Sequence, residues 1–176
     1  VGGAHFSELK EATLRYQASL AESADEFNEL KKDAGYMELP CAFGTMRVKD
    51  GDLSDIKART ALISGLCGSL AVAIQEQSGE PGYFVCYGDV DEESLERAYE
   101  EGNFHSYVTH ALVGSGKSSE DYVDAFGRKT AEELREFYGD DVRIVRGTPA
   151  MLRSYAEEGV PEILRSFARS ALRMDS

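Results

Sequence analysis

Residues 60–87 read TALISGLCGSLAVAIQEQSGEPGYFVCY, and the fold turns on how this stretch divides. From Ala61 to Ile74 there is no charged residue, but the run is shorter than the ~20 residues that cross a bilayer, so it predicts a helix buried in a core. Extended to its turn signals, the helix is expected over 53–78, with Ser64, Gly65, Gly68, Ser69, Ala71 and Ala73 crowding its interior. Each helical glycine costs ~1 kcal/mol relative to alanine, and close approach of another backbone is the natural compensation. The turn Gly79-Glu80-Pro81-Gly82 separates this helix from Tyr83-Phe84-Val85-Cys86-Tyr87. Five apolar or aromatic residues are too few for a helix and suit a central strand covered on both faces.

Downstream, a short acidic helix is expected over 92–101, stopped by Gly102, and a strand over 106–113. Ser119 is placed to cap a helix ending near Gly127, and Thr130-Ala131-Glu132-Glu133 reads as a capping box for another helix running to Tyr138. In 142–146 valine and isoleucine alternate with arginine, the pattern of a half-exposed edge strand. Thr148-Pro149 and Val160-Pro161 open the last two helices. Upstream, Met37, Leu39, Cys41 and Phe43 alternate, and Met46 and Val48 continue on the opposite parity after Gly44, predicting one strand bent at that glycine. Phe6, Leu9, Thr13, Tyr16, Leu20, Phe27 and Leu30 make a heptad stripe, so residues 1–35 are expected to form a long amphipathic helix able to dimerise with a second copy. Alternating helices and strands then predict a single small α/β domain over 36–176, with about four mostly parallel strands flanked by helices. The start at Val1 is expected to follow something upstream.

The chain has 176 residues and a formal charge of −13, which disfavours nucleic acid and anionic membranes as partners. The charge is uneven: residues 1–140 hold 27 acids against 13 bases, whereas 141–176 hold five acids and six arginines. Cys41, Cys67 and Cys86 are odd in number and set in apolar surroundings, which predicts reduced thiols and a cytoplasmic location rather than a disulfide framework.

Four groups of residues are candidates for chemistry. Gly114-Ser115-Gly116-Lys117-Ser118 resembles a phosphate-binding loop, in which backbone N–H groups converge on an anion and lysine adds a point charge. Leu112 and Val113 extend the strand into it and no aspartate-tipped strand follows, so a plain strand-to-helix turn is expected first, a simple anion site second and nucleotide hydrolysis last. Asp89 and Asp91 follow the apolar strand, where they would ligate a metal or cap the next helix. Arg165, Arg169 and Arg173 recur every four residues and could face an acidic partner such as 89–101. His105 and His110 do not form a ligand pair, and Cys86 would be a nucleophile only if neighbours lowered its pKa. With no nucleophile–histidine pairing readable from spacing and no cofactor implied, the expected function is a non-catalytic ligand-sensing or interaction module, homodimeric and part of a larger assembly. The alternative is a small enzyme that binds a phosphorylated or carboxylated substrate through the Gly114–Lys117 loop.

Overall fold

A computed structural model describes Lys10 and residues 35–41, 44–115 and 121–174. Among these, Tyr36–Cys41 (β1) and Gly44–Lys49 (β2) form an antiparallel hairpin. The elements that follow are Ile56–Ile63 (α1), Cys67–Ser78 (α2), Gly82–Tyr87 (β3), Glu92–Glu100 (α3), Val108–Gly114 (β4), Tyr122–Asp124 (β5), Gly127–Lys129 (β6), Ala131–Tyr138 (α4), Val142–Gly147 (β7), Pro149–Ser154 (α5), Val160–Ile163 (α6) and Arg165–Arg173 (α7).

The larger sheet has five strands in the order β6-β5-β4-β3-β7, and every neighbouring pair is antiparallel. This corrects the expectation of a mostly parallel, four-stranded sheet. After β3 the chain makes only the nine-residue helix α3 and a single-turn helix at Phe104–Tyr107 before entering β4. It therefore re-enters the sheet at the end it left, and no crossover is made. β4, β5 and β6 continue as hairpins. The bent strand expected at Gly44 is instead two strands, with Gly44 at φ +122° where they meet. The long heptad helix expected over 1–35 lies outside the described residues except for Lys10 and Gly35, so it supplies no part of the architecture described.

The stretch expected as one helix over 53–78 is broken. Gly65, at φ +121°, turns the chain between α1 and α2, whose axes differ by 96°. α2 is the core helix: Cys67 to Ile74, eight consecutive residues, are all buried, as an all-round apolar helix requires. It lies on one face of the sheet with α7, and its small residues admit close neighbours. A Cβ on Gly68 would stand 2.3 Å from the Tyr155 carbonyl oxygen. On the other face α4 closes a second core of Val85, Leu112, Tyr122, Ala131, Leu134 and Val142. The capping box at Thr130 and Glu133 forms as the sequence predicts, and β7 takes an edge position. No single helix among the described residues is long and apolar enough to cross a membrane.

Candidate functional site: a cysteine, a histidine and an aspartate

The turn at Gly65 makes Cys67 the first residue of α2. No side chain caps that end, so the first-turn N–H groups and the positive end of the helix dipole bear on the thiol. Across from it, β3 and β4 lose register between Val85 and Cys86, a bulge that falls at Thr109, next to His110. Bulges re-aim neighbouring side chains. β5 pairs with β4 only at Val113–Val123 and Gly114–Tyr122. Beyond that point the strands part, and the imidazole of His110 fills the opening.

There His110 Nε2 lies 3.0 Å from Asp124 Oδ2. The other carboxylate oxygen of Asp124 accepts the Phe126 N–H at 2.8 Å. That bond is a local turn inside the β5–β6 hairpin, and it holds the carboxylate independently of the histidine. With Nε2 engaged, Nδ1 is the nitrogen left over; it is buried and has no hydrogen-bond partner of ordinary geometry. Cys67 lines the same closed space as the ring, and thiol and imidazole shift one another's titration.

Thiol and imidazole each shift the other toward its charged form. Burial alone would push the Cys67 thiol up, but the His110 ring and the N–H groups of Ala111 and Gly68 outweigh it and hold the thiol below its ordinary value. Burial would likewise depress His110, yet Asp124 and Cys67 raise it to about 9. Both shifts favour thiolate and imidazolium together. Cys86, also fully buried, has no such neighbours, and burial pushes it up to about 12. The three residues are enclosed: Cys67 is 6% exposed, His110 0% and Asp124 6%. The space between them and Leu62, Leu70, Ile74 and Val123 has no room for a water molecule.

The residues singled out by sequence lie elsewhere. Gly114 abuts Tyr122, whose ring carbon would be 2.7 Å from an added Cβ, and the Ser115 N–H donates to the Asp121 carbonyl at 3.1 Å. Gly116, Lys117 and Ser118 lie outside the described residues. Asp89 pairs with Arg143, and Asp91 caps α3 by accepting the Ser94 N–H at 2.7 Å. Because β3 and β4 are antiparallel, the Tyr87 end that leads to Asp89 and the Gly114 end are at opposite ends of the sheet, so one substrate does not reach both. Among the described residues no group of three His, Cys, Asp or Glu is placed to hold a metal ion. Arg165 contacts Glu76 of α2 at 3.7 Å rather than the acidic stretch 89–101. Arg169 and Arg173 are both exposed, further along the same helix. An open cleft of about 530 Å³, lined in part by Gln75, Glu96 and Arg146, lies at the far end of α2 from Cys67.

Sequence reasoning missed Cys67 and Asp124 as a pair with His110. The available signal was the order of a cysteine after a glycine turn, a histidine entering a strand, and an aspartate in Tyr122-Val123-Asp124. No family model, curated protein or solved structure matches the chain.

Proposed function

We propose that this chain is a cysteine-dependent acyl-transfer enzyme, hydrolysing an amide or ester through Cys67 as nucleophile, His110 as acid and base, and Asp124 as the group that orients the histidine. The observation that supports it is the buried His110, bound through one nitrogen to Asp124, its other nitrogen buried without a hydrogen-bond partner, beside a thiol at the start of a helix. A satisfied core histidine needs neither a low-pKa thiol nor an uncapped helix end beside it.

The chemistry follows from those positions. The Cys67 thiolate attacks the acyl carbon, forming a C–S bond while the carbonyl π pair moves to oxygen. Uncapped N–H groups in the first turn of α2 are the nearest donors for that oxyanion. As the oxyanion collapses, the C–N or C–O bond breaks with its electron pair, and His110 Nδ1 delivers its proton to the leaving group. Water then attacks the thioester and gives a proton to Nδ1; the C–S bond breaks, the acid departs, and thiolate and imidazolium are restored. The carbonyl reaches the sulfur only after the side chains enclosing the site move aside. The free thiols of Cys67 and Cys86 suit a reducing, cytoplasmic setting.

The test is the pH profile of iodoacetamide alkylation, read at Cys67 by peptide mass, in the native chain and in His110→Ala. The native rate is expected to rise well below the ordinary thiol value, and the limb should move up in the variant. Hydrolysis of p-nitrophenyl acetate should be lost in Cys67→Ala. A Cys67 that titrates as an ordinary thiol, alike in both chains, overturns the enzyme and favours a non-catalytic ligand-sensing or interaction module.

A further inference from the structure

The Asp124 contact fixes one atom of the His110 ring. A single hydrogen bond leaves the imidazole free to rock about that bond and to turn about Cβ–Cγ, and either motion takes Nδ1 away from the thiol. The face of the ring is held by a different residue. Tyr138, the last residue of α4, stacks on it with centroids 5.3 Å apart and planes 24° apart. Tyr138 is itself backed edge-on by Phe137 at 4.7 Å. One continuous segment, residues 122–138, thus grips His110 twice, by its edge through Asp124 and by its face through Tyr138. The α4 helix delivers that second grip reproducibly: its start is fixed by the Thr130–Glu133 capping box. Its end is fixed at Gly139, whose N–H bonds the Arg135 carbonyl at 2.8 Å. The titratable groups facing the ring are Cys67 from α2, Asp124 from β5 and Tyr138 from α4.

We propose that Tyr138 is a positioning residue for the Cys67 reaction: its ring holds the plane of the His110 imidazole so that Nδ1 stays on the thiol, and it keeps water from the His110–Asp124 bond. The inference rests on the acyl-transfer reading above. It assigns the work to the aromatic face and none to the phenol hydroxyl, for which a ring of the same shape substitutes. The stack also favours the imidazolium, whose charge lies over an aromatic face.

The experiment uses the full chain with Tyr138→Phe, Tyr138→Leu and Tyr138→Met, each measured for Cys67 alkylation by iodoacetamide between pH 5 and 9 and for thermal unfolding. Tyr138→Phe is expected to stay within twofold of the native rate at pH 7. Leu and Met are expected to slow it at least tenfold and to move the rising limb toward the ordinary thiol range. A purely packing role lowers the melting temperature and leaves the limb in place, and that result overturns the proposal, as does a Phe variant as impaired as Leu. Met serves in the same way if Leu does not fold. His110→Ala separates the two levels: if it moves the limb and Leu and Met do not, the positioning role alone fails, whereas if none of them moves it, the thiol–imidazole pair itself is wrong.

Discussion

Asp124→Asn isolates the charge of the site from its shape. Asparagine keeps the size of aspartate, and its Oδ1 still accepts the Phe126 N–H that shapes the β5–β6 hairpin. What changes is the group facing Nε2 of His110, now an amide. In the native chain His110 titrates near 9 rather than its ordinary 6.5. At ~1.4 kcal/mol per pH unit, the surroundings favour imidazolium by about 3 kcal/mol, a factor of ~10². The largest single influence on the ring is burial, which opposes the charge, and two of the four influences that overcome it come from Asp124. Without the carboxylate, burial is expected to prevail and the ring to be neutral at pH 7. An amide N–H donated to Nε2 would also leave the proton on Nδ1, the tautomer that cannot act as a base toward the thiol. Cys67 alkylation at pH 7 should therefore fall by ~30- to 100-fold, with its rising limb moving toward 9, while circular dichroism is unchanged. A variant that alkylates at the native rate with the native limb would refute the idea that Asp124 holds His110 charged.

Three further outcomes are expected. Hydrolysis of a p-nitroanilide, whose amine leaves only with a proton, should show a bell: its acid limb lies below 9.0 because Cys67 is lowered, and its alkaline limb lies near 9, where His110 loses the proton the leaving group takes; alkylation, which needs only the thiolate, should show no alkaline limb. Gly68→Ala puts a Cβ 2.3 Å from the Tyr155 carbonyl oxygen and 2.7 Å from its ring, and because backbone yields little, a loss of ~1–3 kcal/mol is expected in urea unfolding. Cys86→Ala should leave alkylation at pH 7 unaltered, since the Cys86 thiol is pushed up to about 12 and stays protonated.

The elements legible in the sequence were those set by local rules. The Thr130 capping box, the Thr148-Pro149 start, the apolar strand at Tyr83–Tyr87 and the arginine-striped edge strand depend on neighbours within a few residues, and each is found. The site was hidden by two misread glycines. By pattern Gly65 is a packing residue inside one helix, with Cys67 in its middle; at φ +121° it is a corner, and Cys67 becomes the first residue of a new helix. By its local signals Gly127 ends a helix beginning near Ser119; at φ +88° it is instead the first residue of β6, paired with Asp124 across the two-residue turn, and Asp124 moves from a helix face to a strand end. Periodicity reports which face is apolar, and both segments are apolar on any reading. It does not report whether a glycine sits at positive φ, which is set by contacts distant in the chain. The parallel sheet failed for a related reason: the right-handed crossover rule applies once a helix carries the chain to the opposite end of the sheet, and α3, nine residues long, does not.

Enclosure explains why the pair is strong and also bears on stability. An imidazolium attracts a carboxylate and a thiolate far more in a dry site than in water, and no water fits among them here. Their effects on folding nevertheless offset. His110, raised, stabilises the fold below pH 6.5, and that contribution is lost as pH climbs through about 9. Cys67, lowered, stabilises it above the ordinary thiol value of 9.0, and that contribution is lost as pH falls through its folded value. Wherever the folded chain holds imidazolium and thiolate together, it carries a proton on His110 that the unfolded chain has released and lacks one on Cys67 that the unfolded chain retains. The proton counts match, so the slope of stability with pH approaches zero. A melting temperature nearly constant below pH 9, over the range in which alkylation has already reached its plateau, is the signature of an internal proton transfer from thiol to imidazole; a melting temperature that fell steadily across that window would mean that His110 is charged while Cys67 keeps its proton.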